Sequence, residues 1–143
     1  MTLRAWEEKD VAAICALERE CFSDGWTEEM LVSTFRRRDF CGILLEINGE
    51  MIGYVTATAL FEDAELLRIA VKKQSRGKGY GGLLLDAWLQ KVKALGAQRA
   101  LLEVREGNER AIGLYESRGF SLFHVRERYY SDGEAAKEMQ KAL

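Results

Sequence analysis

The chain contains no proline, a single histidine and three cysteines among 143 residues, and its 21 basic and 23 acidic side chains leave a net charge of only −2. Cys15, Cys21 and Cys41 are odd in number and fit no zinc spacing, and His124 stands alone. Neither a disulfide framework nor a metal site is expected, and the cysteines read as buried thiols. The near-neutral charge removes the long-range attraction that drives nucleic-acid binding, so no nucleic-acid partner is expected and any basic cluster must act locally. Long apolar runs are also missing. The longest, Met51 to Phe61, falls short of the ~20 residues that a membrane-spanning helix needs. Met1 to Glu8 lack the apolar segment of a secretion signal, which predicts a cytoplasmic protein without membrane association. The lack of proline itself has no physical account in the sequence.

What is present suits one globular domain over residues 1–143. Apolar residues make up 48% and charged residues 31%, which excludes disorder and fibres, and a chain of this length buries roughly 68–70% of its unfolded surface. Periodicity and punctuation predict the elements in order. A strand over Thr2–Trp6 precedes a helix from Lys9 to Phe22, whose largely apolar stripe runs Val11, Ile14, Cys15, Leu17, Glu18, Cys21. A second helix follows the N-cap Thr27 as far as Phe35. Strands over Gly42–Ile47 and Met51–Leu60 flank Asn48-Gly49, a strong hairpin signal. After a turn at Phe61–Ala64 come a strand over Glu65–Val71, a helix to Leu95 and a strand over Ala100–Val104. A helix over Glu109–Arg118, capped by Asn108, then precedes a long strand from Phe120 to Tyr130 and an edge strand over Ala136–Ala142. The strands ending at Val71 and Val104, joined by a helix, are predicted to be parallel neighbours. The fold class is mixed α/β, mainly antiparallel, with helices on both faces and a central β-α-β unit.

The most informative stretch is Arg76-Gly77-Lys78-Gly79-Tyr80-Gly81-Gly82, a glycine-rich turn between a strand and a helix. Glycines let backbone approach a ligand unobstructed, and the unpaired N–H groups of a first helical turn favour phosphate oxygens. Lys72, Lys73, Arg76 and Lys78 add positive charge. Gly77, Gly79 and Gly82 also satisfy the dinucleotide pattern G-x-G-x-x-G, with Glu103 near the distance of a ribose-binding acid. The context disfavours that reading, because the motif follows an antiparallel hairpin and too little chain remains for a second half-fold. A Walker-type loop requires Ser or Thr after Gly-Lys, and here Gly79 follows Lys78.

Arg76-Gly77-Lys78-Gly79-Tyr80-Gly81 resembles the acetyl-CoA signature of the GCN5-related N-acetyltransferases, and the element order is similar over essentially the whole chain. The resemblance implies acetyl-CoA as co-substrate. It implies that the backbone of Ile69, Ala70 and Val71 pairs with the pantetheine and acetyl group, and that the amides of residues 77 to 82 hold the diphosphate. A second block, Leu102-Glu103-Val104-Arg105, Asn108, Ala111, Leu114-Tyr115-Glu116, Gly119-Phe120 and Arg128-Tyr129-Tyr130, is similar to the ribosomal-protein-alanine branch of the family. That likeness implies a protein N-terminal amine as acceptor, namely the N-terminal alanine of small-subunit ribosomal protein eighteen. A lysine or small-molecule amine acetyltransferase, or a non-catalytic coenzyme-binding module, are the alternatives.

Acetyl transfer to an amine poses two proton problems. An N-terminal amine, with a pKa of roughly 7.7–8.0, is mostly protonated at neutral pH and needs a base. Glu103, between two apolar residues of a predicted interior strand, is the candidate, acting directly or through a water; an ion pair with Arg105 or Arg99 is the alternative role. The leaving thiolate, whose parent thiol has a pKa of about 8.5, needs a proton. Tyr115 is the candidate acid, two helical turns from Asn108 and so on nearly the same face. Taken alone, Tyr115 on an apolar helix with Ala111, Ile112 and Leu114 fits a core position better, and the resemblance supplies the catalytic role. It also makes Asn108 a cofactor contact. For the acceptor it points to Asp24-Gly25-Trp26 and Arg128-Tyr129-Tyr130, giving Trp26, Tyr129 and Tyr130 as substrate-binding candidates. Gly25-Trp26 stands where the family commonly carries Pro-Trp.

Overall fold

The computed structural model describes residues 1–143. In chain order the elements are β1 (Thr2–Ala5), α1 (Val11–Cys21), α2 (Glu28–Phe35), β2 (Ile43–Ile47), β3 (Glu50–Leu60), β4 (Asp63–Val71), α3 (Tyr80–Ala94), β5 (Arg99–Arg105), α4 (Glu109–Ser117), β6 (Ser121–Arg126) and β7 (Ala136–Ala142). The strands form one sheet in the order β1-β2-β3-β4-β5-β7-β6, antiparallel throughout except for β4 against β5. This is the mixed α/β sheet that the sequence predicts. No helix is long and apolar enough to cross a membrane.

Strand alternation sends neighbouring residues to opposite faces. On one face Val55, Leu66 and Leu102 meet Leu84, Leu85 and Trp88 of α3. On the other, Leu44, Tyr54 and Ala70 meet Ile14, Leu17 and Leu31 of α1 and α2, with Trp6 closing the edge. Each fully buried leucine here contributes about 1.5–3 kcal/mol. The punctuation behaves as expected: the Thr27 hydroxyl accepts from the Met30 N–H and the Asn108 side-chain oxygen Oδ1 from the Ala111 N–H. Asn48 and Gly49 both have positive φ, as a two-residue hairpin turn of this hand requires.

Three expectations need correction. The turn before β4 is only Phe61-Glu62, because Phe61 adopts φ 54° and Leu60 already pairs with Asp63. The strand from Phe120 ends at Arg126, well before Tyr130: Arg128 has φ 51°, which turns the chain out of the sheet. The last strand is not an edge. β7 lies between β5 and β6, antiparallel to both, with Ala136, Glu138 and Met139 buried.

The parallel pair positions the site. β4 and β5 are paired only between Asp63–Leu66 and Arg99–Leu102. Opposite β3 the register shifts, with Thr56 facing Arg68 and Ala57 facing Leu66, so Leu67 is an extra residue on β4. Such a bulge bends its strand. From there β4 runs on to Val71 paired with β3 alone, β5 runs on to Arg105 paired with β7 alone, and a wedge opens between them.

Candidate active site

On one side of the wedge lies a groove of about 510 Å³. Ile69, Ala70, Val71, Arg76, Gly77, Gly79, Tyr80, Gly81, Gly82, Asn108 and Tyr115 all line it, so the structure brings together the predicted cofactor residues with the exception of Lys78. Gly79 is the N-cap of α3 in the left-handed region and provides no side-chain cap, which leaves the N–H groups of the first turn open. A Cβ placed on Gly77 or Gly79 would meet no atom within 4 Å, so the amide strip faces empty space. The β4 edge beyond Leu66 likewise has no partner strand on the β5 side. A bare amide strip beside a free strand edge fits a ligand carrying a diphosphate and an extended amide arm.

The basic side chains are less free than expected. Arg76 donates from Nε to the Val71 carbonyl at 3.0 Å and from Nη2 to Cys21 Sγ at 3.3 Å, and Lys72 pairs with Glu50 at 2.6 Å. Arg76 therefore braces the end of β4. Cys21 is half-buried and lines the groove, unlike the buried Cys15 and Cys41.

Tyr115 is 5% exposed and packs edge-on against Phe120, 5.9 Å between ring centroids. Burial, with a smaller effect of Tyr130, pushes its phenol up to about 12. Glu103 projects from the β5 face opposite Leu102 and Val104, with a side chain about 30% exposed. The two paired roles considered for it do not occur: Arg99 holds Asp63 at 3.1 Å, and Arg105 holds Asp132 at 2.9 Å and Glu134 at 3.0 Å. The nearest cation to Glu103 is Arg126, 3.9 Å away and itself held by Glu138. Tyr129 is pushed above the usual phenol range chiefly because its hydroxyl faces the Glu103 carboxylate. Burial raises Tyr130 first and Glu103 second, and Tyr130 acts in turn on Tyr115. The four groups share one neighbourhood at the mouth of the wedge.

Trp26, Tyr129 and Tyr130 do not line the groove. The two tyrosines sit in the turn between β6 and β7, rings 5.1 Å apart and nearly perpendicular, with Arg105 stacked 4.0 Å over Tyr130. Both lie beyond the end of β6 at Arg126, outside any strand. The Trp26 backbone is fixed from behind, its main-chain N–H donating to the Glu18 carboxylate at 2.9 Å. Glu18, fully buried on the α1 stripe, also accepts from the Tyr54 hydroxyl at 2.6 Å and lies 3.4 Å from Arg68 Nε.

Sequence reasoning missed Phe22, Ser75, Arg110, Ala111 and Leu114 as groove residues and gave Cys21 no role beyond the core. Helical spacing contained a signal for Ala111, three residues after Asn108 and four before Tyr115. Phe22 arrives from the other end of the chain, and nothing local announces it.

An open sheet parted at its one parallel pair, with a bare amide turn at the gap, is the architecture of an N-acetyltransferase. The model of the acetyltransferase (GNAT) family matches residues 11–120, and the chain belongs to that family, whose members use acetyl-CoA. Among its relatives, the ribosomal protein bS18-alanine N-acetyltransferase of Escherichia coli (strain K12) is 30% identical over 129 residues, 90% of this chain and 86% of that protein. An N-alpha-acetyltransferase of Sulfurisphaera tokodaii is 29% identical over 147 residues, 94% of this chain and 88% of that one. The crystal structure of the ribosomal-protein-S18-alanine N-acetyltransferase from Escherichia coli matches with a TM-score of 0.94 at 30% identity, covering 99% of this chain and 93% of that chain.

Proposed function

We propose that this acetyltransferase modifies the N-terminal amine of a protein, specifically the N-terminal alanine of small-subunit ribosomal protein S18. The observation that carries the reading is the likeness to the Escherichia coli enzyme of that activity, 30% identical over 90% of this chain and with a matching fold at a TM-score of 0.94. Bound acetyl-CoA supplies the acetyl group as a thioester, already activated toward a neutral amine. The amides of Gly77 to Gly82 would hold its diphosphate, with Lys78, outside the groove lining, adding only nearby positive charge, while Asn108 and the free edge at Ile69, Ala70 and Val71 would align its arm. A main-chain N–H of that edge receives the negative charge that develops on the acyl oxygen.

Glu103 accepts a proton from the incoming amine, directly or through one water, which turns a mostly protonated group into a nucleophile. Its lack of a tight ion pair supports this role, since a carboxylate fully committed to a guanidinium is a poor base. Tyr115 delivers a proton to the departing sulfur, and its burial keeps the phenol protonated throughout the working pH range. Trp26, Tyr129 and Tyr130 border the acceptor. Mass spectrometry of products from an alanine-initiated peptide, an N-blocked lysine peptide and a polyamine tests the reading. Acetylation of the alanine peptide at its terminus is expected; acetylation of the polyamine or the lysine alone overturns it. A coenzyme-binding module would give no product with any of the three.

A further inference from the structure

The segment joining α1 to α2 crosses the open end of the wedge, and one carboxylate there touches both of its arms. Arg68 stands on β4 just beyond the last residue paired with β5, and Arg105 stands at the end of β5. Arg68 Nη2 donates to the Asp24 main-chain carbonyl at 2.9 Å and reaches its Oδ1 at 3.4 Å. Arg105 Nη2 lies 3.5 Å from the other carboxylate oxygen, Oδ2. Each arginine is anchored on its far side as well. Arg68 meets buried Glu18 and stacks 4.1 Å over the Phe22 ring. Arg105 holds Asp132 and Glu134 and stacks on Tyr130, so it belongs equally to the turn between β6 and β7.

A chain of contacts thus runs from α1 through Arg68, Asp24 and Arg105 to the Tyr129–Tyr130 turn, linking the segments that carry all three candidate acceptor residues. Asp24 is the only carboxylate in it that spans the gap where strand pairing has ceased. The sheet contributes no hydrogen bonds there, so the spacing between the two walls depends on side chains.

We infer that Asp24 is a positioning residue for the acceptor: by bridging Arg68 and Arg105 it fixes the distance between the Trp26 segment and the Tyr129–Tyr130 turn, and so the width of the entrance that a peptide N-terminus must enter. The inference rests on the peptide-acceptor reading above. Asp24 touches no part of the coenzyme groove, and its loss leaves Glu103 and Tyr115 in place. Its effect falls on acceptor KM and spares turnover.

The test is steady-state kinetics of wild type, Asp24→Asn and Asp24→Glu with an alanine-initiated peptide and with acetyl-CoA, at low and high salt. Two part-exposed charge contacts are modest, so Asp24→Asn is expected to raise peptide KM about three- to tenfold. Its kcat and acetyl-CoA KM stay within about twofold, and Asp24→Glu restores most of the peptide KM. Salt raises peptide KM in wild type and not in Asp24→Asn, a difference that a purely structural role does not produce. An unchanged peptide KM in Asp24→Asn, or a loss confined to kcat, overturns the inference while leaving the peptide reading intact. A wild type that does not turn the peptide over removes the reading and the inference with it.

Discussion

Replacing Tyr115 with phenylalanine separates chemistry from stability with unusual clarity at this site. The phenol is buried, and its shift arises from burial and Tyr130, with no contribution from a hydrogen bond. Removing the hydroxyl therefore strands no partner, and at pH 7 the folded state is expected to change by less than about 0.5 kcal/mol. The rate is a different matter. Loss of a general acid typically costs 10²–10⁴-fold, so kcat is expected to fall by roughly that factor with acetyl-CoA affinity retained. Linkage provides a second measurement. The folded phenol titrates near 12 against 10.0 in the unfolded chain. A raised acid pKa means stability fully present below pH 10 and lost as pH climbs toward 12. At pH 11 the unfolded phenol is largely ionised and the folded one is not, a difference of about one pKa unit or about 1.4 kcal/mol. Wild type then loses about 3–6 °C in Tm relative to Tyr115→Phe between pH 7 and pH 11. The other shifted tyrosines are common to both proteins and cancel. Thiol-release kinetics and thermal melts at the two pH values give both numbers. A variant turning over within tenfold of wild type refutes the acid assignment, and a Tm difference independent of pH refutes the buried phenol.

Glu103→Gln keeps the shape of the site and removes the base, so kcat/KM is expected to fall 10²–10⁴-fold while calorimetry finds acetyl-CoA binding unchanged; normal turnover would reassign the base. Gly79→Ala forces a side chain into φ 84° with no steric neighbour to blame, and is expected to cost about 1–2 kcal/mol in melts and to weaken acetyl-CoA binding. Gly25→Ala places a Cβ 2.9 Å from the Glu18 carbonyl oxygen, and the overpacking is expected to cost about 1–3 kcal/mol; an unchanged Tm would mean that the segment yields freely.

The sequence made most of the fold legible because its signals are local. Helix caps at Thr27 and Asn108, the Asn48-Gly49 turn and the glycine run each act within a few residues, and each produced the element expected of it. The errors share a different cause. Arg128 turns the chain out of the sheet with φ 51° although arginine seldom adopts that region, and no neighbouring glycine marks the bend. The place of β7 depends on pairing with β5 across more than thirty residues of chain, which no window of sequence contains. In the site, the glycine turn is legible from its spacing, whereas Asn108 and Tyr115 owe their roles to the family resemblance and Arg110, Ala111 and Leu114 were missed. Phe22, and the partnership of Asp24 with Arg68 and Arg105, were not legible, because only the folded sheet brings them together.

One extra residue on β4 explains how a single sheet yields both halves of the site. Leu67 interrupts the register opposite β3 at the point where pairing with β5 stops. Without that bulge, β4 and β5 could continue side by side, the backbone of Ile69 to Val71 would be used up in strand hydrogen bonds, and no free edge would remain for a ligand arm. Glu103 would then stand opposite a closed strand. The bulge therefore gives up several inter-strand hydrogen bonds, each worth about 0.5–1.5 kcal/mol, in exchange for a ligand-binding edge on β4 and an accessible carboxylate on β5. Arg68 follows Leu67 directly and reaches across to Asp24, so the residue that starts the opening is followed at once by one that limits its width.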